Sequence, residues 1–136
     1  MIKTKESTID GIKFQVTQLG YAEGIELLTK LLSLAGSAFE KGENKDSFSL
    51  ARLASKLTAS DLKMVIEKLA SRTLIERTPG TAEWPKLDPE VDLAGDYGLL
   101  FKWLKFALEV NYGGFFYAVS EVKDAVLRET AIAKVA

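Results

Sequence analysis

Apolar residues dominate the stretch from 98 to 117, which reads GLLFKWLKFALEVNYGGFFY. At 100° per residue, its charged side chains fall within one narrow sector of a helix: Lys102, Lys105 and Glu109. Apolar side chains occupy nearly all of the remaining helix surface. A helix that is apolar on almost every side is either buried in a core or used as a contact with another protein. The pattern therefore predicts a central helix for this chain.

The end of this central helix is predicted by Asn111 and by the glycine pair at 113 and 114. Asn and Gly tolerate the left-handed conformation that closes helices, so the helix is predicted over about 98–111. Beyond it, a weaker amphipathic pattern with apolar positions such as Val122 and Val126 predicts a last helix over about 116–133.

A β-hairpin is predicted over residues 7–17. Asp10 and Gly11 lie between alternating apolar and polar residues. Asp-Gly is the strongest short-range hairpin signal, because both turn residues must accept positive φ. A lone two-stranded hairpin is marginal in water, so its apolar face must pack on helices or pair with another strand. The segment TLIERT, residues 73–78, is a candidate for that additional strand.

Three further helices are predicted from the spacing of apolar residues. The longest covers about 21–39 and carries two adjacent stripes, which together form one wide apolar face. The stripes consist of Ile25, Leu28, Leu32, Ala35 and Phe39, and of Leu27, Leu31, Leu34 and Ala38. A shorter helix is predicted over about 48–57, and another over 61–71 with Ser60 as its N-cap.

Residues 78–97 form a predicted loop that contains all three prolines and five acidic residues against one lysine. Loops of this length usually carry function or are partly disordered. Together with the helices and the hairpin, this predicts a mainly α (α+β) fold, a compact helical domain of about five helices with a small N-terminal β-hairpin. We assign residues 1–136 to a single domain, since a chain of this size can bury about two-thirds of its unfolded surface.

The composition narrows the range of functions. The chain has no His and no Cys, which excludes Ser-His, Cys-His and His-metal mechanisms within it, as well as disulfides and thiolate metal sites. We therefore expect no enzymatic activity and no cofactor. A net charge of −1 gives no general attraction to phosphate backbones or anionic membranes. The sequence shows no secretion signal and no apolar run long enough to span a bilayer, so we expect neither nucleic acid nor membrane as a partner.

Alternating carboxylates in the predicted loop raise the question of a metal site: Asp88, Glu90, Asp92 and Asp96. Calcium loops use such spacing, but they need a glycine at the sixth position and a glutamate at the twelfth. Leu93 stands at the sixth position, and no glutamate stands at the twelfth. A solvated loop without a metal is the favoured interpretation.

Residues 47–78 leave an alternative function open. A helix, the break Thr58-Ala59-Ser60, a second helix and the TLIERT segment have the order of a winged-helix DNA-binding module, and six basic residues stand against three acidic ones. However, Asp61 begins the would-be recognition helix and would face phosphates unfavourably. Two core-packed helices with a connecting strand are the more ordinary interpretation.

Six aromatic residues are the candidate partner-binding residues: Trp103, Phe106, Tyr112, Phe115, Phe116 and Tyr117. Aromatics at helical spacing belong to the core more often than not, which applies above all to Trp103 and Phe106. Three consecutive rings at 115–117 cannot all point the same way, so at least one is expected on the surface. Exposed aromatics in a cluster mark partner sites.

Three segments of the chain carry a resemblance to a known family. These segments resemble the tail assembly chaperones of long-tailed bacteriophages. They are the hairpin segment TIDGIKFQVTQL, the Leu-rich segment IELLTKLLSLAG and the C-terminal segment LLFKWLKFALEVNYGGFF. The similarity covers roughly residues 8–116, and its most specific part is 103–116. The long Pro-rich acidic loop and the residues after 117 depart from the family pattern.

The resemblance implies a function without catalysis. Such proteins bind the tape measure protein, a very long and largely helical chain, keep it soluble and help tail tube subunits polymerise around it. In many such phages a longer form, made by programmed frameshifting, recruits the tail tube protein. The resemblance also implies a location in the host cell cytoplasm and absence from the finished virion. Self-association is left open by the sequence.

Overall fold

A computed structural model describes residues 1–35 and 50–115 of the chain. Its elements in chain order are β1 (Thr4–Ile9), β2 (Ile12–Thr17), α1 (Tyr21–Ala35), α2 (Leu50–Lys56), α3 (Ala59–Ala70), β3 (Thr73–Ile75), a π-helical turn (Pro89–Leu93) and α4 (97–115). The predicted fold class, mainly α with a small N-terminal β element, is confirmed. The predicted helix over 116–133 and the end of the predicted helix over 21–39 lie outside the described residues. The assignment of the whole chain to one domain stays a prediction.

The hairpin turn forms where the sequence predicts it. Asp10 and Gly11 have φ values of 51° and 81°, and the strands on either side pair in the register Ile9 to Ile12 and Ser7 to Phe14. β3 adds antiparallel to β2, with Phe14 opposite Ile75, which gives the strand order β1-β2-β3. The hairpin therefore gains the third strand that its marginal stability requires.

The core lies between the sheet and the helices. The side chains of Phe14 and Val16 lie on the buried face of the sheet. They belong to one apolar cluster with residues of α1, α3 and α4. The largest fully buried side chain is that of Trp103, on α4. Since eight of the described core positions lie between 93 and 112, α4 and the turn before it supply much of this cluster.

The predicted end of the central helix is wrong. Asn111 does not close α4, because the helix continues to 115, the last residue of this segment that the structure describes. Nδ2 of Asn111 donates a hydrogen bond of 2.9 Å to the carbonyl of Ala107, and Oδ1 accepts one of 2.8 Å from the backbone N–H of Leu19. The side chain thus links the interior of α4 to the residues before α1. This tertiary contact overrides the local preference of Asn and Gly for helix ends.

The predicted N-cap of α3 is also wrong by two residues. Thr58 holds this position, with extended backbone angles, and its Oγ1 accepts a hydrogen bond of 3.1 Å from the N–H of Asp61. Ser60 instead lies in the first turn of the helix. Both Thr and Ser are favourable cap residues, so the sequence alone does not separate them.

Candidate functional site

An apolar groove of about 740 Å³ lies between α3, the π-helical turn and the start of α4. Its volume falls in the range of roughly 300–1,000 Å³ that is usual for binding pockets. Each wall comes from one of these three elements. The residues that form it belong to the described part of the chain, and it is the first candidate for a functional site.

One face of α3 forms the first wall. The lining residues are spaced i, i+3, i+4, i+7 and i+8: Ala59, Leu62, Lys63, Ile66 and Glu67. Val65 and Leu69, on another face of the same helix, are fully buried in the core. α3 therefore packs against the core with one face and presents a second, largely apolar face to the groove.

The first turn of α4 forms the second wall with Tyr97, Leu100 and Phe101. Asp96 fixes the start of this helix, because its Oδ1 accepts a hydrogen bond of 3.1 Å from the N–H of Leu99. Leu100 and Phe101 are half-buried, whereas Tyr97 is 69% exposed at the edge of the groove. A large aromatic ring is thus available to a partner at this edge.

The π-helical turn forms the third wall, and a charged cluster holds it in place. Arg77 donates two hydrogen bonds to the carboxylate of Asp92, at 2.8 and 2.9 Å, and Oδ2 of Asp92 also accepts the N–H of Asp88 at 2.9 Å. The hydrogen bonds from Arg77 lower the pKa of Asp92 below its usual value. The side chain of Asp92 is only 4% exposed, so this network anchors the turn to the end of β3.

The acidic residues of the predicted loop have structural uses in this arrangement. Asp92 pairs with Arg77, Asp88 accepts the N–H of Glu90 at 3.0 Å, and Asp96 starts α4. Within residues 1–35 and 50–115, no group of three or more acidic side chains is placed to hold a metal ion. The predicted loop is also more ordered than a solvated loop, because the backbone of residues 85–87 forms hydrogen bonds with β3 along the edge that does not pair with β2.

The charged residues at the groove are mostly acidic. Lys63 and Glu67 lie on the α3 wall, and Asp88 and Glu90 lie on the wall formed by the π-helical turn. These carboxylates oppose phosphate binding on the exposed face of α3, which would be the recognition helix of a winged-helix module. Asp61 is engaged as well, with Thr58 at 2.9 Å and Lys30 at 3.7 Å. None of these contacts favours the DNA-binding alternative.

A second apolar surface lies on α1. The predicted wide apolar face is only partly buried, since Leu27 and Leu31 enter the core while the adjacent stripe is exposed except for the half-buried Leu28. We call this adjacent set the α1 stripe: Tyr21, Ile25, Leu28 and Leu32. Tyr21 is 86% exposed and Ile25 is 51% exposed. Exposed apolar residues that share one helix face are typical of contact surfaces.

The structure places the six predicted partner-binding aromatics in different environments. Trp103 is fully buried, and its Nε1–H donates a hydrogen bond of 3.3 Å to Oγ1 of Thr73. Tyr112 is buried too, and its hydroxyl donates to the carbonyl of Gly24 at 2.9 Å. Burial raises the pKa of Tyr112 to about 12. The core holds both rings, which agrees with the expectation that Trp103 packs inside, and a role of either residue in partner binding stays a prediction.

The other four predicted aromatics remain candidates. Phe106 and Phe115 are half-buried on α4. Phe116 and Tyr117 lie outside the described residues. The sequence did not indicate the groove, although the apolar positions at 59, 62 and 66 are a signal of helical spacing that could have pointed to the α3 wall.

None of the helices in the described part is long and apolar enough to cross a bilayer. Neither the curated proteins nor the solved structures contain a significant match. A family model described as phage tail assembly chaperone protein, TAC, matches residues 10–123, which is well over half of the chain. The protein therefore belongs to the phage tail assembly chaperone family.

Proposed function

We propose that this protein binds the tape measure protein of its phage, keeps it soluble and promotes polymerisation of the tail tube around it. The observation that carries the proposal is the family match over residues 10–123. The exposed apolar surfaces support it, because a protein that shields an aggregation-prone chain needs apolar area to offer. The groove and the α1 stripe supply such area in two separate places.

The expected chemistry of the client fits such surfaces. Amphipathic helices bind by laying apolar residues at positions i, i+3 or i+4, and i+7 into apolar grooves. Contacts of this kind tolerate varied side chains and are reversible, as a protein that leaves the finished particle requires. The function needs no bond making or breaking, and we propose no enzymatic activity for the chain.

Co-expression with the tape measure protein tests the proposal directly. The tape measure protein is produced alone, with this chain, and with an unrelated small acidic protein at the same level. We expect a several-fold larger soluble fraction only with this chain, together with recovery of both chains in one complex after affinity purification. If the soluble fraction is the same in all three cultures, the proposed function is wrong.

The proposal extends to the other partner and to the location. The tail tube protein is the second proposed partner, engaged through a longer form of the chain where frameshifting produces one. The chain acts in the host cytoplasm and leaves before the particle is complete. Mass spectrometry of purified virions and of assembly intermediates would check this: we expect peptides of this chain in the intermediates and not in the virions.

A further inference from the structure

We propose that the groove between α3, the π-helical turn and the start of α4 binds an amphipathic helix whose apolar stripe is flanked on both sides by basic residues. The natural source of that helix is the tape measure protein, so this part of the inference rests on the proposed function. The family match names no binding surface on this chain; the location and the charge pattern come from the structure.

The length of the α3 wall suits two turns of a bound helix. It extends from Ala59 to Glu67, which is about 12 Å at 1.5 Å per residue. The apolar side chains that line the groove are spaced along that length and along the first turn of α4. A bound helix with apolar residues at i, i+4 and i+7 covers the same distance.

The charges at the groove determine which residues are favoured beside the apolar stripe of a bound helix. Glu67 lies on the α3 wall, and Asp88 and Glu90 lie on the wall formed by the π-helical turn, whereas Lys63 is the one basic residue among the described lining residues. The carboxylates of Glu67 and Glu90 form no ion pair with another described residue. Because acidic residues occur on two different walls, a helix in the groove gains from basic residues on both sides of its apolar stripe.

The exposed apolar face of this chain is a poorer match for the groove than a basic helix. Helix α1 of a second copy carries Glu23 and Glu26 against Lys30, so it offers no excess of positive charge to the acidic groove. Residues 116–136 carry three acidic and three basic residues, so they offer no excess of positive charge. Electrostatic complementarity therefore favours a basic amphipathic helix from another protein.

Binding of three synthetic helical peptides to the full-length chain tests the inference. All three peptides have the same length and the same number of leucines. The first carries its leucines on one stripe with lysines on both flanks, and the second has glutamates in place of those lysines. The third has the residues of the first in scrambled order. Fluorescence anisotropy should show binding of the lysine-flanked peptide at least about tenfold tighter than that of the other two, with a preference over the glutamate-flanked peptide that weakens in high salt. Equal affinity for all three peptides would overturn the inference.

Two variants locate the binding in the groove. Ala94 is exposed and lines the groove, so Ala94→Glu should block the apolar surface and weaken binding of the lysine-flanked peptide about tenfold or more. The control Ala82→Glu, at an exposed residue outside the groove, should leave this affinity unchanged. The double variant Glu67→Lys with Glu90→Lys should reverse the preference in favour of the glutamate-flanked peptide. The matched control, Glu6→Lys with Glu83→Lys, changes the net charge equally at exposed residues outside the groove and should leave the order unchanged. A reversal cannot come from simple loss of structure.

The same variants separate this inference from the proposed function. If the wild-type chain and Ala94→Glu solubilise the tape measure protein equally well, the proposed function stands and the groove is not the client site. If the wild-type chain fails to solubilise it, the proposed function is wrong, and the peptide preference alone decides whether the groove binds a basic helix. A wild-type dimer that Ala94→Glu dissociates, without peptide binding, would show that a second copy fills the groove and would overturn the inference.

Discussion

The two ends of α4 differ in what their side chains do. At its start, Tyr97, Leu100 and Phe101 line an open groove. Further along, Trp103, Leu104 and Leu108 are completely buried. One helix therefore carries a surface for contact at one end and the main part of the core at the other. The sequence predicted that a helix so apolar on nearly every side serves either as core or as a contact surface. In the structure, α4 has residues in both environments.

The buried part of α4 also holds distant segments together through polar contacts. The carbonyl of Val110 accepts Nε2 of Gln18 at 2.8 Å, Asn111 binds the N–H of Leu19, and Tyr112 binds the carbonyl of Gly24. These bonds fix the connection from β2 to α1. The segment EVNYG, which belongs to the most specific part of the family resemblance, thus stabilises the fold through these contacts. The comparison teaches that a recognisable segment and a binding surface need not coincide.

Truncation of one large aromatic residue in each part of α4 should give the largest difference between the two parts. We expect Trp103→Ala to lower the free energy of unfolding by about 3–5 kcal/mol, because it removes a fully buried side chain and leaves a cavity. Tyr97→Ala, at the exposed end of the same helix, should change it by less than about 0.5 kcal/mol. Urea denaturation followed by circular dichroism measures both. Similar losses for the two variants would contradict the division.

Asn111 gives the next largest effect. Asn111→Ala leaves the backbone N–H of Leu19 without its partner, and we expect a loss of about 1–3 kcal/mol for a part-buried donor. Glu109→Ala, two residues earlier on the exposed side of α4, serves as the matched control and should cost less than about 0.5 kcal/mol. If Asn111 were instead a simple helix end, alanine there would be nearly neutral. Hydrogen exchange at Leu19 would identify the bond itself.

Much of the fold could be predicted because its signals are local. Asp10-Gly11 specifies the hairpin turn, and the apolar spacing specifies the helices. The wrong N-cap of α3 is a local ambiguity between Thr58 and Ser60. The wrong end of the central helix involves a contact between distant residues, since Asn111 and Leu19, joined by a hydrogen bond, are 92 positions apart. The groove could not be predicted for the same reason, since its walls come from three separate elements and Arg77 must reach Asp92 to hold one of them.

Tyr112 allows the buried end of α4 to be tested by pH. Tyr112→Phe should cost about 0.5–1.5 kcal/mol near neutral pH, because it removes the hydrogen bond to the carbonyl of Gly24. Burial raises the pKa of Tyr112 from 10 to about 12, so its contribution is complete below pH 10 and is lost as the pH rises towards and through 12. The difference in unfolding free energy between wild type and variant should therefore shrink over that interval. A constant difference from pH 9 to 12 would place the hydroxyl in contact with water.

Substitution of Arg77 should have the smallest effect on stability, and it affects the wall of the groove formed by the π-helical turn. Arg77→Gln removes the charged partner of Asp92, and since the side chain of Arg77 is 44% exposed we expect only a small loss of stability. Arg77 lowers the pKa of Asp92, so its stabilisation is present above the ordinary carboxyl pKa of 3.8 and is lost as the pH falls through the lower value of the folded state. The wild-type chain and the variant should converge in stability under acid. Amide hydrogen exchange should nonetheless speed up in 88–93 at neutral pH, because the wall loses its anchor, while the control Arg72→Gln should leave these amides unchanged. Unchanged exchange in Arg77→Gln would mean that the wall does not depend on the ion pair.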